Sequence, residues 1–171
     1  IFVFDFDGVI CNSTKECFVT SKNTWFRLNG SNNFKTSLDD FHADEYKNFV
    51  PIRPLVKGAG EYYLVMRYLS ENNNENLSND EYKNLSLKWQ NKFQEFKMLF
   101  YKERIRLREI NREDWINLHT PYLKVIDLIK KINKKNHLYI ATLKDSLSVS
   151  ILLDSYGINL DKSKIFDQSK I

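Results

Sequence analysis

Asp5 and Asp7 stand two residues apart at the end of an unbroken apolar run, Ile1-Phe2-Val3-Phe4, and Gly8 follows at once. Alternate residues of a strand point the same way, so both carboxylates can face one pocket. Two like charges this close are costly unless a cation or a proton relieves them. Magnesium suits the task, because it takes one or two carboxylates and keeps water and substrate phosphate as its other ligands. An aspartate so placed can also accept a phosphoryl group, forming an aspartyl-phosphate. Two plainer readings compete. Asp7-Gly8 could be a tight hairpin turn, but that strands Asp5 and makes Val9-Ile10-Cys11 a poor partner strand. A calcium loop would need further oxygen ligands and a late glutamate, and the sequence lacks them.

A second candidate lies far along the chain, where His137-Leu138-Tyr139-Ile140-Ala141 leads into Thr142-Leu143-Lys144-Asp145. Threonines end strands routinely, so Thr142 alone is weak evidence. Lys144, two residues on, is either a site residue or a solvent-facing loop lysine; both readings stand. Asp145 reads as the cap of a following helix.

The elements that must position these residues follow from hydrophobic periodicity. Ile1–Phe4 does not alternate, which predicts a strand buried on both faces of a parallel sheet. Helices are predicted over Lys15–Asn29, stopped by Gly30, over Leu38–Val50, and over Gly60–Ser70. The polar run 71–79 reads as a loop. Leu85, Trp89, Phe93, Phe96 and Phe100 recur at steps of three and four, predicting one long helix over Asp80–Asn111 whose aromatic stripe is packing rather than a cofactor box. Pro121 should open the next helix at its first turn, with Tyr122, Val125, Ile126, Ile129 and Ile132 buried and Lys130 to Lys135 as its basic end. Strands at 137–141 and Ile165-Phe166 flank a helix over Ser146–Tyr156 that Gly157 stops. The order strand, helical insert, helix, strand, helix, strand contains a βαβ unit and so implies an α/β fold with a parallel sheet. Ligands of such sheets sit at the carboxyl ends of the strands, where Asp5, Asp7 and Thr142 all fall.

Composition narrows the rest. The chain has 171 residues with a net charge of +4, 42% hydrophobic and 14% aromatic residues, enough for a packed core. That charge could draw an anionic substrate but is too small to argue for nucleic acid. The basic residues between Lys102 and Arg108 alternate with acidic and apolar ones, which predicts a solvated helix face. Cys11 and Cys17 make neither a disulfide framework nor a zinc site, and a reducing, cytoplasmic setting is the default. No run of about 18 apolar residues suggests a membrane span.

Phe4-Asp5-Phe6-Asp7-Gly8-Val9-Ile10 resembles the first signature of the haloacid-dehalogenase-like (HAD-like) hydrolases, a hydrophobic strand followed by D-x-D-G-[VT]. Leu138 through Asp145 resembles the second, a Ser or Thr ending the next core strand. The resemblance implies a Rossmann-like parallel-sheet core with an inserted all-helical cap: core at 1–12 and 120–171, cap at 13–119. It also implies a magnesium-dependent phosphatase acting on a small phosphorylated metabolite. Asp5 would be the nucleophile and Asp7 the general acid/base, both would ligate Mg2+, Asp7 through its backbone carbonyl, and Thr142 with Lys144 would bind phosphate. Capped members akin to phosphoglycolate phosphatase and β-phosphoglucomutase close their caps over the site. Arg53, Lys57, Arg67 and the basic residues near Lys102 could select an anionic substrate, although surface charge explains most of them.

The chain begins at Ile1 inside an apolar run and ends just past a strand, so both ends are expected to be incomplete. The family's third-signature lysine and its acidic fourth signature are expected beyond the given residues, with Lys170 arriving early for the former. Without the acidic signature the fragment is expected to bind magnesium poorly. Three alternatives stay open: a phosphomutase, a phosphonate hydrolase on the same site, or a non-catalytic HAD-like binding domain.

Overall fold

The computed structural model describes residues 1–72, 77–134 and 137–167. Along the chain run β1 (Phe2–Phe4), β2 (Cys11–Asn12), α1 (Thr14–Leu28), α2 (Ala43–Phe49), α3 (Tyr62–Glu71), α4 (Asn79–Trp89), α5 (Phe93–Ile110) and α6 (Arg112–Asn117). They are followed by β3 (Thr120–Pro121), α7 (Leu123–Asn133), β4 (Leu138–Ala141), α8 (Ser146–Ser155) and β5 (Ile165–Phe166). Most of the structure is helical, with a small parallel sheet, in keeping with the α/β class. The chain divides into two compact units, Ile1–Ser13 with His119–Ile171, and Thr14–Leu118. Among the described residues no helix is long and apolar enough to cross a membrane.

The first unit is built on a parallel sheet of order β1-β4-β5, with Phe4 opposite Ile140 and Ile140 opposite Ile165. Leu138, Ile140 and Ile165 share one face and are fully buried. α7 packs on β4 and α8 on β5. The opposite face carries Val3, Tyr139, Ala141 and Phe166. β1 corrects the expectation of a strand buried on both sides: Phe2 is 51% and Val3 61% exposed. The reason is position, because β1 is an edge strand among the described residues and its apolar run meets a neighbour on one side only.

Beyond β1 the chain wraps around the carbonyl of Phe6, which accepts the N–H groups of Val9, Ile10 and Cys11 at 2.9–3.4 Å. Gly8 makes this possible with φ +80, a region other residues rarely enter. β2 then pairs antiparallel with β3, Cys11 facing Pro121, so the segment after Asp7-Gly8 is a strand whose partner is remote in sequence. Pro121 therefore sits in β3 and not in the first turn of a helix. The N–H of Tyr122 donates to the carbonyl of Ile10 at 3.0 Å, and α7 starts only at Leu123. Tyr122 is exposed for the same reason, whereas Ile126, Ile129 and Ile132 form the buried stripe. Lys135 lies outside the described residues.

The regular elements described in the second unit are all helical. Phe18, Phe41, Tyr46, Phe49, Tyr62 and Phe100 stack and abut around α1, with ring centroids 5.0–5.8 Å apart. Two expected helices are broken. Leu38–Asp40 is a separate 3-10 turn held by reciprocal Ser37–Asp40 capping, and extended backbone at Phe41 and His42 precedes α2. Trp89 leaves helical geometry and a 3-10 turn at Gln90–Lys92 divides α4 from α5. Of the aromatic stripe, only Phe96 and Phe100 on α5 are fully buried. The polar run 71–79 is described only in part: α3 extends through Glu71, and Ser78 caps α4 by accepting the N–H of Glu81.

The basic run between Lys102 and Arg108 is also corrected. Glu103, Arg104 and Arg108 are buried, while Ile105 is exposed. Pairing overrides the usual cost of burying charge: Arg104 Nε donates to Glu16 Oε1 at 2.8 Å and its Nη2 to Oε2 at 3.0 Å.

Candidate functional site

β1 and β4 lie side by side and parallel, so their carboxyl ends deliver residues 5–7 and 142–144 to the same edge of the sheet. Extending the register by one residue sets Asp5 level with Ala141, just before Thr142.

Asp5 is exposed and its Oδ1 accepts the N–H of Phe6 at 2.6 Å. Asp7 is partly enclosed. Its Oδ1 accepts a short hydrogen bond from the Ser13 hydroxyl and lies 3.5 Å from Nζ of Lys144. The Lys144 side chain is 0% exposed and that of Asp7 22%, so the ammonium reaches the site from the protein side. Lysines are seldom buried this deeply without a partner, and Asp7 supplies one. The solvated reading of Lys144 is thereby set aside.

Thr142 is buried. Its N–H completes the sheet by donating to the Phe166 carbonyl at 2.9 Å. Its Oγ1 accepts the Lys144 N–H at 3.3 Å, folding the 142–145 loop back on itself. Asp145 caps α8 through the N–H of Ser148 at 2.9 Å, as its position suggested. Asp167 accepts the N–H of Ser146 at 2.8 Å and ties this loop to the end of β5.

Three participants escaped the sequence reading. Ser13 precedes α1 and looks like an ordinary helix-start residue, yet it holds Asp7. Cys11 Sγ lies 3.4 Å from Ser13 Oγ. Burial pushes the Cys11 thiol up to about 11, only partly offset by its hydrogen bond with Ser13, so it stays neutral. Burial also raises the Tyr156 phenol, with Cys11 and Asp7 adding to the effect. No local pattern announces Cys11 or Tyr156, because both arrive through tertiary packing.

Could these residues hold magnesium? Among the described residues no group of three or more His, Cys, Asp or Glu gathers in one place. The donors available are the Asp5 carboxylate and the backbone carbonyl of Asp7, hard oxygens of the kind magnesium prefers. With water and a substrate phosphate as the other ligands, the donor chemistry fits. Lys170 lies outside the described residues.

Comparisons with known protein families, with curated protein sequences and with solved structures return no match.

Proposed function

We infer that the protein is a phosphatase that hydrolyses a small phosphomonoester through an aspartyl-phosphate on Asp5. The observation that carries this reading is the buried Lys144 ammonium, 3.5 Å from Asp7 and two residues beyond Thr142, at the carboxyl ends of adjacent parallel strands. A cation, a hydroxyl and two carboxylates at one sheet edge match what phosphoryl transfer demands, which is mainly positioning and charge neutralisation. On this reading the first unit is a Rossmann-like core and the second an inserted helical cap. Cys11 and Cys17 are buried and not joined in a disulfide, compatible with a reducing cytoplasm.

Asp5 is exposed and so open to an incoming phosphoryl group; its carboxylate oxygen attacks phosphorus and the ester oxygen departs on the opposite side. Asp7 gives a proton to that leaving oxygen, then takes one from the water that cleaves the aspartyl-phosphate. Ser13 and Lys144 fix the Asp7 carboxylate in place for proton transfer. Thr142 and Lys144 hold the phosphoryl oxygens. Asp5 and Asp7 would hold the magnesium ion, which supplies charge neutralisation when bound.

The test is release of p-nitrophenol from p-nitrophenyl phosphate with magnesium present. The native protein turns over and Asp5→Asn loses roughly a thousandfold or more, as expected for a missing nucleophile, with its circular dichroism unchanged. Turnover by Asp5→Asn at the native rate would refute the reading.

A further inference from the structure

α5 turns charge inward, and one of its carboxylates is oversubscribed. Arg104 is matched by Glu16 through two hydrogen bonds. Glu103 is shared instead. Its Oε1 accepts from Nη1 of Arg27, and its Oε2 lies 3.6 Å from Nη1 of Arg106. Glu103 is buried, whereas both arginine side chains are 49% exposed. Two guanidinium groups thus stand in front of one carboxylate, with an excess positive charge facing outward. Each guanidinium carries five N–H donors in a planar fork, so most remain for something else.

A cleft of about 330 Å³ opens beside them, lined by Asn23, Arg27, Asn32, Phe34 and Arg106, with Glu103 itself also on its wall. Every lining residue belongs to the second unit. Three devices hold the cleft in shape. Gly30, at φ +74, ends α1 and turns the chain, and the N–H of Ser31 returns to the carbonyl of Phe26 at 2.9 Å. The Asn23 amide grips the backbone of Lys35 in both directions, at 2.8 and 3.0 Å. The Arg106 guanidinium lies 3.9 Å from the centroid of the Phe34 ring, a cation–π contact that orients its fork.

We propose that this cleft is a binding site for a small oxyanion, a phosphate or carboxylate group, held by the outward N–H donors of Arg27 and Arg106. A planar fork matches two oxygens of either group. The single Glu103 carboxylate fixes both arginines and offsets only one of their two charges, so the cleft keeps a net positive charge. None of these residues takes part in the phosphatase chemistry proposed above, and the site stands whether or not that reading does.

The experiment titrates the full chain with inorganic phosphate and, separately, with succinate. Binding is followed by calorimetry and amide chemical shifts, with ionic strength held constant by sodium chloride. At least one anion binds saturably, and the stronger binder identifies the group as phosphate or carboxylate. Arg106→Gln weakens that binding by roughly tenfold or more, the loss of about one charge-assisted contact. Asn32→Asp sets a negative charge on an exposed lip residue, so it weakens binding with no demand on the fold. Glu103→Gln releases both forks and tightens binding. Thr142→Ala leaves it unchanged, which separates this site from the phosphate site proposed above. Absence of saturable binding, or binding that survives both Arg106→Gln and Asn32→Asp, overturns the proposal.

Discussion

The ammonium of Lys144 lies 3.5 Å from Oδ1 of Asp7, and the lysine side chain is wholly enclosed. Residue 144 sits in a loop and residue 7 just beyond the first strand, 137 positions apart in the chain. Parallel pairing of β1 with β4 is what joins them.

That pair should be felt in catalysis more than in folding. Lys144→Met keeps the length of the side chain and removes its charge. The expected result is a loss of roughly 10²–10³-fold in kcat for p-nitrophenyl phosphate, the scale of one lost electrostatic contact to a developing charge. A merely structural lysine would lower thermal stability and leave kcat of the folded protein intact. Steady-state kinetics beside a melting curve separates the two.

Asp7 has a second anchor in Ser13. Ser13→Ala removes the hydroxyl and leaves Lys144 in place. We expect a fall in kcat of about tenfold, near the cost of one hydrogen bond, with KM little changed because Ser13 touches Asp7, the proposed acid/base, and not the proposed phosphate ligands Thr142 and Lys144. A raised KM at constant kcat would move Ser13 to substrate binding.

Glu16 and Arg104 form a buried pair within the second unit, 0% and 5% exposed at their side chains. Arg104→Met strands the Glu16 carboxylate, and urea denaturation should show a loss of about 3–5 kcal/mol. The double variant Glu16→Leu, Arg104→Met removes both charges and should recover most of it. Equal losses in the single and double variants would assign the cost to packing instead.

Gly60 has no room for a side chain. A Cβ there would stand 2.5 Å from the carbonyl oxygen of Phe93 and 2.8 Å from its Cβ. Backbone cannot swing aside as a side chain can, so Gly60→Ala should cost about 1–3 kcal/mol by overpacking. A denaturation midpoint equal to the native one would contradict the close approach of the Ala59–Glu61 turn to α5.

Cys11 should give an alkaline signature. Its folded thiol is pushed up from 9.0 to about 11, chiefly by burial. Below pH 9 both folded and unfolded chains keep the proton, and the full stability is present. Between pH 9 and 11 the unfolded chain releases its proton while the folded chain retains it, so stability falls as pH rises. Cys11→Ala should flatten part of that fall in denaturation curves taken across this window. Iodoacetamide at pH 8.5 should label Cys11 only as the protein unfolds.

Local sequence determined much of this protein. The β-prone run ending in Asp5-Phe6-Asp7-Gly8, the glycine stops at 30 and 157, the buried stripe of α7, the strands at 138–141 and 165–166 and the Asp145 cap could all be read from neighbours a few residues away. Such features depend on periodicity and backbone preference, which act over one or two turns. Tertiary structure alone decided the rest. It made β1 an exposed edge, drew Pro121 into a strand with Cys11, broke two helices at Phe41 and Trp89, and turned Glu103 and Arg104 inward. It also buried Lys144 against Asp7 and brought Ser13 to the same carboxylate. The strand pairings and the buried charges among these turn on partners far along the chain, and a charge is buried or exposed according to the counter-charge it meets, which no local pattern records.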